Sequence, residues 1–377
     1  MTVIDDKSLR PQNNDLTMVR LLLATLVIYS HSFYAVFDDD HDDLATTLGV
    51  PISNYAVDGF FILSGFLVYR SLVTNNSLRF FALARLTRLW PALFVMMIVV
   101  TLGGLAFTTS SLAAYFIGTD TLKFIFFNTT FVFYGANLTG VHCGAELCNV
   151  NGSLWTLPWE ARCYVILALL GGLRLAGAKP MTYLILPATL AFAVLWDVGA
   201  ANGLSHVLGR GISYQFERLD RLWVAFALGI AAYLFRHRIP LSWWICLALL
   251  LANIGVQQFV PPAGLHARAV FMAYFVLCLG FLGVRKTSVS SNWPDYSYGM
   301  YIYAFPVMFV LQRVFAFESP YALAVCNVLG TVPLAALSWH FVEKPALNQL
   351  KRYRKRLATA PKHPEPLAPE VVAPGAA

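Results

Sequence analysis

Apolar residues run along this chain in blocks long enough to cross a bilayer, and the polar positions gather in short stretches between them. A hydrocarbon core about 30 Å thick needs roughly 20 helical residues. Blocks of that order recur near 16–37, 52–70, 89–108, 154–173, 181–198, 219–235, 241–258, 265–284, 296–314 and 320–342. Helices satisfy their own backbone polar groups, as lipid requires, so the pattern predicts an all-α, polytopic membrane bundle of about ten transmembrane helices. Residues 109–150 are only moderately apolar and suit an interfacial or re-entrant segment beside the main bundle. The chain thus divides into a polar segment (1–15), a membrane domain (16–342), and a basic juxtamembrane stretch with a Pro/Ala-rich tail (343–377) expected to be disordered.

Composition agrees, with 58% hydrophobic and 12% charged residues. The net charge of +7 would suit nucleic acid, but the basic residues lie in short loops, where they report topology instead. Counting termini and alternate loops as one side collects Lys7, Arg10, Arg70, Arg79, Arg85, Arg88, Arg174, Lys179, Arg236, Arg238, Arg285, Lys286 and the basic C-terminus. The other side receives only Lys123, Arg210, Arg218, Arg221, Arg268 and Arg313. Positive charge favours the cytoplasm, so both termini are expected there. The first apolar run carries Arg20 and lacks a small-residue cleavage site, so no cleavable leader is expected. KPALNQLKRYRKR (344–356) suits anionic lipid headgroups.

Ionisable residues inside apolar runs are costly and point to function. Arg20 and His31 are eleven residues apart in the first run. On a helix they return to within about 20° of one face, about 16 Å apart along the axis. The alternative is that Arg20 snorkels to the interface and His31 bonds a neighbouring helix. Asp58, early in the antiparallel second run, matches His31 in depth and could fix its tautomer, leaving a base. Glu160 and Arg162 lie at a similar level, either in the site or paired with each other. Arg85 and Arg88, in a loop leading to the third run, share a face at i, i+3 and suit either phosphate binding or topology setting.

Cys143 and Cys148 share a predicted exterior loop and are expected to form a disulfide, while Cys163, Cys246, Cys278 and Cys326 read as apolar filler. The acidic run DDDHDD (38–43) lacks the glycine and terminal glutamate of a calcium loop and reads as a solvated connection. No metal site is expected.

Five stretches, in order, resemble the membrane-bound acyltransferase 3 family. They are the Arg20-x10-His31 spacing, VDGFFILSGFL (57–67), RLTRLWP (85–91), NGSLWTLPWEARCYV (151–165), and YSYGMYIYAFP (296–306) with HFVEKP (340–345). One departure is NNDLTMVR (13–20), where many relatives have a tighter Asp-Gly-Leu-Arg. The resemblance implies transfer of an acyl group, usually acetyl, from cytoplasmic acyl-CoA to a hydroxyl of a surface or lipid-linked glycan. It implies the standalone form, without an esterase domain, in a bacterial plasma membrane.

Such chemistry needs a base, oxyanion stabilisation and a bound donor. His31 is the expected general base, with Arg20, Asp58 and Glu160 completing the catalytic group. Arg20, Arg85 and Arg88 are expected to hold the phosphates of acyl-CoA, the donor substrate; no permanently bound cofactor is expected. Ser153 and Trp155 are expected on the acceptor side, Trp155 either stacking on a sugar or serving as an interfacial residue. Direct transfer and an acyl-His31 relay both remain open. The competing class is a transporter or flippase, whose path would also be lined by charge.

Overall fold

The computed structural model describes residues 2–39, 41–75, 77–143, 146–196, 209–282, 288, 290 and 292–359. Arg285, Lys286 and the expected tail lie outside the described residues, as does the side chain of Arg210. The described chain is mostly helical, and six helices are long and apolar enough to cross a membrane. The protein is therefore a multi-pass membrane protein.

Helix α1 (Leu16–Phe37) ends where Asp38 turns into the left-handed region at φ 54°. A connection containing one helical turn, Ala45–Leu48, leads to α2 (Ile52–Asn75). The acidic connection is not simply solvated. Asp42 is buried, and its carboxylate accepts from the backbone N–H of Ala45 at 3.1 Å and of Ile52 at 2.8 Å. Asp43 accepts from the Tyr29 and Tyr321 hydroxyls at 2.5 and 2.9 Å, so these carboxylates fasten helix ends.

Helix α3 (Leu78–Gly104) begins at a Ser77 cap and runs through Pro91. Arg79, Arg85 and Arg88 thus lie within a helix, not in a loop. No glycine or proline separates residues 78 and 90, and Leu, Ala and Arg are strong helix formers. Residues 109–150 form the short helix Leu112–Ile117, α4 (Thr119–Thr130), and an antiparallel ribbon of β1 (His142–Cys143) and β2 (Glu146–Leu147). The Cys143–Cys148 disulfide closes the ribbon, and the buried Tyr115 hydroxyl donates to Thr101 O of α3 at 2.6 Å.

The chain continues through a 3₁₀ turn (Gly152–Thr156) into α5 (Leu157–Gly172), then α6 (Ala178–Leu195), α7 (Arg210–Leu234), α8 (Trp243–Phe259), α9 (Pro261–Phe281), α10 (Ser297–Phe315) and α11 (Pro320–Ser338). A π-helical turn, Trp339–Glu343, joins α11 to the basic α12 (Lys344–Thr359). That last helix lies against α3, with the Arg354 guanidinium 5.0 Å from the Phe80 ring centroid.

Small residues set the tightest contact. A Cβ on Gly65 of α2 would lie 2.0 Å from Phe226 O of α7, and one on Gly229 of α7 would lie 2.0 Å from Ile62 O of α2. Only glycine permits this approach, the usual device for packing apolar helices where lipid offers no hydrophobic drive. α1 packs on α2, α10 and α11, which places its polar face beside the interior.

Candidate active site

A cavity of about 130 Å³ lies between α1, α2, α3, α5 and α10. Its polar lining brings together Arg20, Arg85, Arg88, Glu160, Ser64 and Tyr164 from four of those helices. The rest is largely apolar and aromatic, including Phe60, Tyr298 and Tyr301.

At one end the arginines meet two acids that the sequence pattern does not single out. Asp295, just before α10, takes Arg20 Nη2 at 3.2 Å and Arg88 Nη2 at 2.8 Å on the same oxygen. Arg88 Nη1 reaches Glu343 at 3.2 Å. Glu343 belongs to the π-turn, an insertion in the helical ladder of the kind that re-aims side chains at functional sites. Burial pushes the Asp295 pKa up, but the Arg20 and Arg88 charges outweigh it and bring it down to about 2.

Arg88 is therefore already spent on ion pairs. Arg85 is not: its guanidinium lies 5.8 Å from the Tyr164 ring centroid, and its Nε is buried without a hydrogen-bond partner. The Nε of Arg20 is likewise buried and unpartnered. Buried donors left open in this way mark places where a ligand's acceptors would fit.

Deeper in the cavity Glu160 accepts from Ser64 Oγ at 3.2 Å and from the Tyr164 hydroxyl, one turn along α5. It does not pair with Arg162. Arg162 instead bonds Gln215 Oε1 and Val132 O, both at 2.9 Å, and lies 4.2 Å from the Trp159 ring centroid. The pairing alternative for Glu160 fails because residues two apart on α5 project about 200° from one another, onto nearly opposite faces.

The remaining expected site residues lie outside the cavity lining. Ser153 is buried on the 3₁₀ turn with its hydroxyl unpartnered, while its carbonyl accepts from Tyr301 at 2.9 Å. Tyr301 lines the cavity, and Phe305, one turn further along α10, makes an edge contact to His31 at 5.4 Å between centroids. His31 thus sits roughly one helical turn, about 5–6 Å, beyond the cavity wall.

Asp58 does not orient it. Asp58 Oδ1 accepts from Arg221 Nε at 3.3 Å and Oδ2 from Arg268 Nε at 2.6 Å. Two guanidiniums saturate the carboxylate, and no His31–Asp58 bond is present among the described residues. Matching depth put the two residues level but could not show that they face different neighbours. Trp155 stacks under the arginines of this second cluster, with Arg218 4.8 Å and Arg221 5.8 Å from its ring centroid. Arg221 and Arg268, counted from sequence as loop charges, are helical partners of Asp58, Arg268 buried and Arg221 largely so.

The bundle thus gathers open guanidinium donors and a hydrogen-bonded carboxylate round one internal cavity. Residues 13–340 match the acyltransferase domain of the acyltransferase 3 family. The chain belongs to that family and is a membrane acyltransferase.

It is 26% identical over 359 residues to nodulation protein 10 of Rhizobium leguminosarum, covering 89% of this chain and 93% of that protein. It is 27% identical over 351 residues to the O-acetyl transferase of Shigella phage Sf6, covering 90% and 97%. Against the peptidoglycan O-acetyltransferase OatA of Listeria monocytogenes identity is 25% over 324 residues, covering 77% of this chain and 50% of that longer protein. No solved structure matches the chain.

Proposed function

We propose that this protein is an O-acetyltransferase of the bacterial plasma membrane, moving an acetyl group from cytoplasmic acetyl-CoA to a hydroxyl of a cell-surface or lipid-linked glycan. In this reading residues 16–342 form a domain of ten spans with both termini in the cytoplasm, and α12 rests on anionic headgroups. One observation carries the proposal. Arg20, Arg85 and Glu160 share an internal cavity, and α1 leads from Arg20 to His31 about 16 Å further on. The relatives named for O-acetyl transfer support the acyl group and the acceptor class.

The donor's phosphates would meet Arg85 and the open Nε of Arg20, with Arg88 held in its ion pairs as a positioning residue. A pantetheine arm, on the order of 15–20 Å long by comparison with extended chain, would carry the thioester past Glu160 toward Tyr301. The acceptor would enter from the other end. His31 takes the hydroxyl proton as its oxygen attacks the thioester carbon, and CoA departs as the thiolate, which that proton neutralises. The Ser153 hydroxyl is suited to donate to the tetrahedral oxyanion. Glu160, fixed by Ser64 and Tyr164, supplies the negative charge that steadies the imidazolium.

The test is release of free CoA from acetyl-CoA by membranes holding the protein, with and without extracted surface glycan, alongside alkali-released acetate from that glycan. Acceptor-dependent CoA release with matching ester formation is expected. Glycan movement across the membrane without acetyl-CoA consumption would instead identify a transporter.

A further inference from the structure

The end of the bundle away from Asp295 holds a second set of guanidiniums whose charges do not balance. Among the described residues, Asp58 is the one carboxylate that pairs there with Arg221 and Arg268, and both of its oxygens are occupied. Arg221 also donates to Asn54 O at 3.3 Å. Arg218, one turn before Arg221 on α7, has no hydrogen bond or ion pair to a described residue, and its Nε is buried without a partner. Its guanidinium lies between two rings, 4.8 Å from the Trp155 centroid and 4.9 Å from that of Tyr214. The neighbouring acids do not answer it: Asp220 faces His266 at 3.7 Å, and Glu217 is exposed.

Three guanidiniums against one saturated carboxylate leave positive charge in a partly buried place, which is costly without a counter-ion. Ring contacts hold Arg218 in position while leaving its N–H donors unspent, the arrangement suited to bidentate capture of an oxyanion. Trp155 is five residues from Glu160, and Asp58 is six residues from Ser64, which bonds Glu160. Along α2 the Asp58 that pairs with Arg221 therefore lies less than two helical turns, roughly 9 Å, from the Ser64 that bonds the cavity's carboxylate.

We infer that Arg218 and Arg221, set against Trp155 and Tyr214, form a subsite for an oxyanion carried by the acceptor, so that the protein acts on anionic glycans. The inference rests on the acceptor half of the proposed function. The oxyanion comes either from the carboxylate of an acidic sugar or from a phosphate on the glycan or its lipid carrier; both present oxygens that a guanidinium edge can take in pairs.

The experiment is titration of the purified full-length protein in detergent with glucuronate, inorganic phosphate and, as the neutral control, glucose, read by calorimetry and by the shift in thermal midpoint. Glucuronate or phosphate is expected to bind more tightly than glucose and to weaken as salt rises. Arg218→Ala should weaken that binding at least about tenfold, with Arg218→Lys between the two. Arg218 ties down no other polar group, so its removal leaves nothing buried and unpaired, and an unchanged midpoint without ligand confirms the fold. Preference for glucuronate identifies an acidic sugar, and preference for phosphate a phosphorylated acceptor. Equal binding of anions and glucose overturns the inference, as does anion binding that Arg85→Ala removes and Arg218→Ala spares. Anion binding at Arg218 without CoA release from acetyl-CoA would sink the transferase reading while leaving the subsite.

Discussion

Two groups of buried charge lie toward opposite ends of this bundle, and they differ in how completely they are neutralised. At one end Arg20 and Arg88 meet Asp295 and Glu343, two cations with two anions. At the other, Arg221 and Arg268 share Asp58, and Arg218 beside them meets only the Trp155 and Tyr214 rings among the described residues. The balanced group reads as a fastening that holds α1, α3, the start of α10 and the π-turn together. What remains open beside it is Arg85. In the unbalanced group the missing charge is the informative part, because a partly buried cation without a partner is stable only where something else supplies the anion.

The sharpest way to break this division is at the chemistry between the groups. His31→Ala should lower acceptor-dependent CoA release by about 10²–10⁴-fold with the protein still folded, the usual contribution of a general base. Activity within threefold of wild type would remove His31 from the mechanism. Next comes Asp58→Ala, which strands Arg221 and Arg268 and should cost about 3–5 kcal/mol, seen as loss of folded yield or a large fall in the thermal midpoint. A neutral outcome would mean that Asp58 is dispensable to the fold and that an anion already neutralises the arginines.

Smaller effects sharpen the contrast. Arg85→Ala should raise KM for acetyl-CoA about tenfold with a lesser change in kcat, since it removes a charge-assisted donor bond. The reverse split would place Arg85 at the reacting centre instead. Acid should loosen the balanced end specifically. The Arg20 and Arg88 charges hold the Asp295 carboxyl down to about 2, below its ordinary 3.8, so its stabilising contribution is full above the ordinary value and is lost as pH falls toward the lower one. Between pH 4 and pH 2 the thermal midpoint should therefore fall further in wild type than in Asp295→Asn. Parallel curves would show that the pairing contributes nothing.

The helices were legible because lipid leaves the chain few choices, and apolar runs of the right length report them directly. The Cys143–Cys148 bridge was legible too, from two cysteines in one short loop. The arginine layer was found as residues but misplaced as a loop, because charge was taken to end a span where α3 simply continues. Partnership was the part the sequence could not carry. Asp58 meets residues 163 and 210 positions away, and Glu343 meets Arg88 across 255. Periodicity places a side chain on a face, but in a bundle whose helices are apolar on nearly every face it does not say which neighbour that face meets. Glu343 had one available signal, an acid inside the HFVEKP motif.

The glycine contact between α2 and α7 bears on how such a protein could move. Gly65 and Gly229 bring the two backbones so close that neither helix can slide or roll against the other without collision. The same two helices carry Asp58 and Arg221, whose ion pair lies about two turns from the glycines and locks the pair at a second point. Two fixed points make a stiff beam. A passage between the cavity and His31 would then have to run along the aromatic residues of α10, where Tyr301 meets Phe60 of the stiff pair and Phe305 meets His31 of α1.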